Sequence, residues 1–154
     1  MLSQRSIDLQ LEIIKPLSLI GLLLVVQLTA AERSERFDNF ELHYSVVNTT
    51  FLSASVAEKY GITRGERHAI LNLSLRELFA ENSASVGMEL SGRTWDLIQN
   101  QDLNFTMIKE SGAIYYIARF KFINEEWRFF ELDFSPEGSK QKYQFKFKQQ
   151  LYIN

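Results

Sequence analysis

The feature that most constrains this fold is an alternation of apolar and polar residues that recurs along the chain from residue 40 onward. Successive side chains of a β-strand point to opposite faces, so a period of two is typical of strands that bury one face. The pattern covers residues 40–47, 69–76, 84–91, 103–108, 114–122, 130–134 and 142–148. We therefore predict an all-β fold, an antiparallel β-sandwich of about seven strands in which each sheet buries one face only.

Turn residues separate the predicted strands. Gly112 follows Ser111 and accepts a positive φ, so this pair is predicted to form a tight hairpin turn. Residues 124–125 lie between two aromatic strands and are expected to form another short turn. The segment 135–138 is predicted to be a surface loop, because Pro136 has no N–H to donate to a strand ladder.

One short helix is predicted within residues 54–60. Ser55 and Glu58 have the spacing of a capping box, in which each side chain bonds an unpaired backbone N–H at the start of the helix. Gly61 follows and can end the helix in a left-handed conformation. The predicted domain is therefore a sandwich with one helical element.

Residues 1–31 are predicted to be a signal peptide. Residues 17–28 are mostly apolar, no charge lies between Lys15 and Glu32, and three small residues precede the expected cleavage site. The apolar run is shorter than the roughly 20 residues that span a membrane comfortably. We expect residues 32–154 to form a single domain in the periplasm. An uncleaved leader would instead make the protein a membrane-anchored accessory subunit.

The composition excludes several classes of site. The chain has no cysteine, which excludes disulfides, thiolate catalysis and cysteine-ligated metals. It has 17 Lys and Arg residues against 19 Asp and Glu residues, a formal charge of −2. A nucleic-acid-binding domain normally carries a basic excess. We therefore expect no nucleic-acid partner, and we expect membrane contact only through an uncleaved leader.

The two histidines do not indicate a catalytic or metal site. His43 alternates with predicted core residues and should face solvent, and His68 opens the next predicted strand. A zinc site needs three or four converging ligands, and the Gly-x-Ser-x-Gly motif of serine hydrolases is absent. We predict no catalytic residue, no metal ligand and no cofactor. The alternative is a periplasmic hydrolase of cell-wall or small-molecule substrates, with His68 as the base.

Lysines alternate with aromatic residues near the end of the chain. The lysines are Lys140, Lys142, Lys146 and Lys148. Lysines on an edge strand oppose edge-to-edge aggregation, which is the interpretation we favour. The alternatives are contact with anionic lipid headgroups or lipopolysaccharide, and binding of single-stranded nucleic acid.

The segment 48–68 is the longest one without a strand pattern, and it is the predicted partner-binding surface. Long loops on a sheet scaffold often carry function, and aromatic residues with arginine are typical of interface anchors. The candidate residues are Asn48, Thr49, Phe51, Leu52, Tyr60, Arg64 and Arg67. The apolar side chains of this segment are equally expected to plug one open end of the sandwich, and the two roles are compatible.

Residues 111–119 resemble the sixth strand of an immunoglobulin variable domain, with Tyr115 at the place of the corner tyrosine. In that family the corner tyrosine and the following cysteine share a strand face that meets the core. Here the even-numbered residues are the apolar ones, whereas Arg119 and Lys121 share the face of Tyr115. We therefore treat the match as a coincidence of strand composition, and we expect the even-numbered residues of this strand to face the core of the immunoglobulin-like sandwich.

Five blocks of the chain carry a resemblance to a known family. They are residues 44–52, 56–64, 71–74, 113–120 and 145–152. In these blocks the chain resembles a family of exported proteobacterial proteins, domain of unknown function 4426. The resemblance implies a location in the envelope and a single β domain, and it brings no established activity. We therefore expect a non-catalytic exported sandwich that binds another envelope component, a protein or a glycan.

Overall fold

The computed structural model describes residues 33–80 and 82–153, which form two antiparallel sheets. The elements are β1 (Arg33–Phe37), β2 (Phe40–Asn48), a 3-10 turn (Thr49–Phe51), α1 (Ala54–Lys59), β3 (His68–Leu78), β4 (Ser83–Val86), β5 (Met88–Trp95), β6 (Asn100–Asp102), β7 (Phe105–Glu110), β8 (Ala113–Lys121), β9 (Trp127–Pro136) and β10 (Tyr143–Gln150). The predicted signal peptide, residues 1–31, lies outside the described residues. No helix in the described ranges has the length and apolarity needed to cross a bilayer.

The two sheets bury their apolar faces against each other. The large sheet has the order β1-β2-β3-β8-β7, with β4 paired to β3 beside this path, and the small sheet has the order β10-β9-β5-β6. The core between them contains side chains from both sheets, including Leu42, Leu73, Phe120, Phe130, Leu132 and Phe134. The predicted all-β sandwich is therefore confirmed.

The strand faces follow the predicted alternation. In β8, Tyr116, Ala118 and Phe120 are buried in the core, whereas Arg119 and Lys121 are exposed. This parity places the even-numbered residues of β8 inside, as expected. Tyr115 and Ile117 therefore lie on the face of β8 that points away from the core between the sheets.

The described residues form ten strands, whereas the alternation predicts about seven. In β1 only Phe37 is shielded from solvent, and β6 has three residues, so neither strand shows a detectable period of two. The predicted strand 84–91 is divided into β4 and β5 at Gly87, whose carbonyl accepts a hydrogen bond from the Glu137 N–H at 2.8 Å. The division lets β4 pair in the large sheet and β5 in the small one.

The two predicted turns are present, and the predicted loop is partly wrong. Gly112 has a φ of 81° in the hairpin turn between the paired strands β7 and β8, and Glu125 has a φ of 65° in the turn that passes from β8 in the large sheet to β9 in the small sheet. Ser135 and Pro136, however, are buried at the end of β9. Proline is tolerated there because a strand end can do without one donor.

The short helix is confirmed, but its cap differs from the predicted capping box. The N-cap is Ser53, whose Oγ accepts a hydrogen bond from the Val56 N–H at 3.2 Å. Ser55 lies inside the helix and its Oγ bonds the Ser53 hydroxyl at 3.1 Å. Gly61, with a φ of 60°, follows the helix as predicted.

Candidate functional site

The segment after β2 covers the outer face of the large sheet. Leu52, Ala57 and Ile62 form a second buried cluster with Ile70 of β3. Val47, Val56, Tyr60 and Ile117 pack against this cluster. The expectation that each sheet buries one face only is therefore wrong for the large sheet. Apolar residues at outward positions of β2, β3 and β8, such as Val47 and Ile117, are the sequence signal for this second layer.

Three of the seven candidate binding residues are used inside the fold. Asn48 is buried, and its Nδ2 donates to the Tyr152 carbonyl at 2.7 Å. Thr49 is buried, and its Oγ1 donates to the Gly65 carbonyl at 3.2 Å and accepts from the Gly65 N–H at 3.0 Å. Leu52 belongs to the second cluster. These three side chains hold the segment in place and do not reach the surface.

Tyr60 joins the helix to β7. Its hydroxyl donates to Oε2 of Glu110 at 3.0 Å, and the Lys59 ammonium donates to Oε1 of the same carboxylate at 2.9 Å. The hydrogen bonds from Lys59 and Tyr60 lower the pKa of Glu110. Tyr60 is therefore half-buried and already occupied, so it is a structural contact more than an open anchor.

Phe51, Arg64 and Arg67 are the candidate residues that remain at the surface. The Phe51 side chain is 41% exposed. Arg64 is exposed and is held by one hydrogen bond from Nη2 to the Thr50 carbonyl at 3.1 Å. Arg67 is exposed as well, while its backbone carbonyl accepts from Phe122 at 3.1 Å. The predicted binding surface is thereby reduced to an aromatic ring and two guanidinium groups.

The hairpin between β5 and β6 presents two aliphatic side chains that the sequence reasoning did not select. Leu97 is 88% exposed and Ile98 is 81% exposed. The Asp96 carboxylate shapes this tip, because its Oδ1 accepts from the N–H of Ile98 at 2.8 Å and of Gln99 at 2.6 Å. The tip is therefore a tight turn with its two apolar residues turned outward.

A buried ion pair fixes the base of this tip. Arg128 of β9 is 1% exposed, and its Nη1 donates to Oδ2 of Asp96. Its Nε also donates to the Thr94 hydroxyl at 3.0 Å. Burial raises the pKa of Asp96, but the N–H groups of the tip and the Arg128 guanidinium together hold that pKa below its usual range. The carboxylate is thus kept charged and bonded on both oxygens.

Most of the large apolar side chains that the described residues expose lie at one end of the sandwich. Strand pairs Asn48 with Ala69, His68 with Lys121, and Trp127 with Gln150 all lie at this end. The exposed residues here are Phe51, Leu97, Ile98, Trp127 and Tyr152, and we call this surface the apolar end. Two others lie elsewhere, Phe79 beyond the far end of β3 and Met107 in β7.

The small sheet adds aromatic residues and cations beside the apolar end. Trp95 stacks on Phe129 with ring centroids 5.7 Å apart, and the Lys148 Nζ lies 4.7 Å from the Trp127 ring centroid. β10, which carries Lys148, is an edge strand of this sheet, as its lysines predict.

His68 lines a cavity of about 240 Å³ close to the apolar end. The other lining residues are Thr49, Thr63, Ala69, Gln101, Arg119, Phe120 and Lys121. None of them is a carboxylate that could orient His68 as a base. His43 lies 3.1 Å from the Glu41 carboxylate. No group of three or more His, Asp or Glu side chains in the described part of the chain could hold a metal ion.

The fold is shared with solved structures. A DUF4426 family protein from Pseudomonas aeruginosa is 26% identical, with a TM-score of 0.70 over 82% of this chain and 99% of that chain. Two structures of FetP from uropathogenic Escherichia coli, one a copper-bound variant, have TM-scores of 0.58 and 0.56. They cover 80% of this chain and 97% and 95% of their own chains, and at 9% identity they show the fold alone.

No curated protein matches the chain. The family model described as domain of unknown function 4426 matches residues 34–154, and the chain therefore belongs to the DUF4426 family.

Proposed function

We propose that the protein is an exported, non-catalytic binding protein that attaches to another component of the bacterial envelope, a protein or a glycan. The observation that carries this proposal is the concentration of exposed apolar side chains at the apolar end. Single exposed apolar residues are ordinary on protein surfaces, whereas a group of them at one place is typical of an interaction site. We assign the binding function to this end of the sandwich.

Phe51, Arg64 and Arg67 are the proposed anchors on the large-sheet side of the apolar end. Aromatic residues and arginine are enriched among the residues that dominate interface energetics. Leu52 and Ile62, next to or near these residues in the sequence, belong to the second buried cluster and tie the segment to the large sheet. A segment held in this way lowers the entropy cost of binding, because the anchors are already in place.

The double variant Phe51→Ala with Arg64→Ala should lower the recovery of the envelope partner at least about tenfold, because each anchor of this kind is typically worth a kcal/mol or more. The measurement is affinity capture from envelope extracts with tagged residues 32–154. Thermal unfolding should change little, since both side chains are at the surface. A variant that unfolds early yet still captures the partner would leave the segment with a purely structural role.

A matched control lies at the opposite end of the sandwich. Phe79 is 55% exposed, and exposed Arg36 donates from Nε to the Asp38 carbonyl at 3.1 Å, which mirrors the contact of Arg64. The double variant Phe79→Ala with Arg36→Ala should therefore capture the partner as the wild type does. Equal losses from both double variants would contradict the assignment to the apolar end.

Export should leave Glu32 as the first residue of the protein. The small residues at 29–31 follow an apolar run and match the preference of signal peptidase. N-terminal sequencing of the protein from a periplasmic fraction tests this expectation. A protein that keeps residues 17–28 in the membrane fraction would favour the anchored accessory subunit instead.

A further inference from the structure

We infer that the tip of the β5–β6 hairpin inserts into the surface of a lipid bilayer, with Leu97 and Ile98 as the inserted side chains. The inference goes beyond the proposed function, because it assigns lipid to the small-sheet side of the apolar end, whereas the proposed protein or glycan partner meets the large-sheet side. It also goes beyond the sequence-based expectation that membrane contact requires an uncleaved leader.

The tip is convex and already shaped for insertion. The Leu97 and Ile98 side chains are both more than four-fifths exposed. The Asp96 carboxylate satisfies the N–H groups of residues 98 and 99, so these two donors do not have to be stripped of water. The buried pair of Asp96 with Arg128 holds the turn in this form. Burial of the two aliphatic side chains in lipid is therefore favourable, and two of the backbone donors at the tip are already bonded.

The residues around the tip are those found at membrane interfaces. Trp127 pairs with Gln150, two positions beyond the Trp95–Phe129 pair and on the side of the tip. Tyr152 follows β10 at the same end, and its hydroxyl donates to the Gln150 Oε1 at 2.7 Å. Trp and Tyr favour the headgroup level because one end of each ring is apolar and the other polar. Lys148, next to Trp127, can meet lipid phosphates.

The charges at this end leave a small positive excess. The exposed cations are Arg64, Arg67, Arg119, Lys121 and Lys148, and the exposed carboxylates are Glu66, Glu125 and Glu126. Attraction to anionic lipid is therefore modest, and apolar insertion must supply most of the binding. This predicts a weak dependence on salt, which distinguishes insertion from electrostatic adsorption.

Sedimentation with lipid vesicles tests the inference. The protein used is residues 32–154, the predicted mature chain, which contains the family match over residues 34–154. Vesicles of phosphatidylethanolamine, with and without phosphatidylglycerol, should both bind the wild type. The variant Leu97→Ser with Ile98→Ser should bind at least about tenfold less, and a rise from low to high salt should weaken wild-type binding by less than about threefold.

The control variant Phe79→Ser with Met107→Ser removes two exposed apolar side chains outside the apolar end and should bind vesicles as the wild type does. Unchanged thermal unfolding of the tip variant shows that Asp96 and Arg128 still hold the turn. The inference would be overturned if the tip variant bound vesicles as well as the wild type does, or if the wild type did not bind vesicles. The inference would also be overturned if the tip variant lost the capture of a protein or glycan in an assay without vesicles. That partner, and not lipid, would then be the occupant of the tip. The proposed function is tested separately. It fails if the double variant that lacks Phe51 and Arg64 captures the envelope partner as well as the wild type does.

Discussion

Replacement of Arg128 by alanine should lower the free energy of unfolding by about 3–5 kcal/mol, because removal of one partner leaves a buried charge uncompensated. The side chains of Arg128 and Asp96 are both almost wholly buried. The substitution also deprives the Thr94 hydroxyl of the Arg128 donor. Urea unfolding of residues 32–154, monitored by circular dichroism, measures the change.

An exposed ion pair on the same sheet is the control. Lys146 of β10 lies 2.9 Å from the Glu131 carboxylate, but its side chain is largely in solvent. Exposed pairs of this kind contribute about 0–1 kcal/mol, so Lys146→Ala should change stability only slightly. An Arg128→Ala variant that loses no more stability than Lys146→Ala would contradict a buried pair at the base of the tip.

Replacement of Phe120 by alanine should cost about 3–5 kcal/mol, through lost apolar burial and the cavity left behind. Phe120 is buried between the sheets, and its ring meets the Phe130 ring edge-on with centroids 5.3 Å apart. The loss should appear as a lower urea midpoint with an unchanged slope.

The neighbouring residue is the control for this second prediction. Lys121 is exposed on the opposite face of β8, so Lys121→Ala should stay within about 0.5 kcal/mol of the wild type. Similar losses from both variants would mean that the faces of β8 are assigned incorrectly.

The parts of the fold that the sequence predicts are those with a long apolar alternation. β3 and β8 are nine residues or longer, and each has one face that is apolar over most of its length, so the sequence indicates which residues face the core. β1 and β6 are short, polar and at sheet edges, where pairing with a neighbour decides the structure. Local pattern alone does not identify such strands, because their stability comes from the sheet.

The candidate site was predictable only in part, because the type of a residue does not reveal whether tertiary contacts bury its side chain. Asn48 and Thr49 have the polarity of binding residues, but tertiary contacts bury both. Arg128 gives a usable signal, because it is in phase with the buried residues Phe130 and Leu132 of β9. A charged residue in a core position predicts a buried partner of opposite charge. That partner is Asp96, which directly precedes the exposed tip residues Leu97 and Ile98.

The most direct test of the account is the ratio of envelope-partner recovery between two double variants measured side by side. One removes Phe51 and Arg64 at the apolar end, and the other removes Phe79 and Arg36 at the opposite end, with similar exposed chemistry lost in each. The account predicts at least about tenfold lower recovery for the first variant and wild-type recovery for the second. Equal recovery by the two variants, or a loss confined to the second, would contradict it.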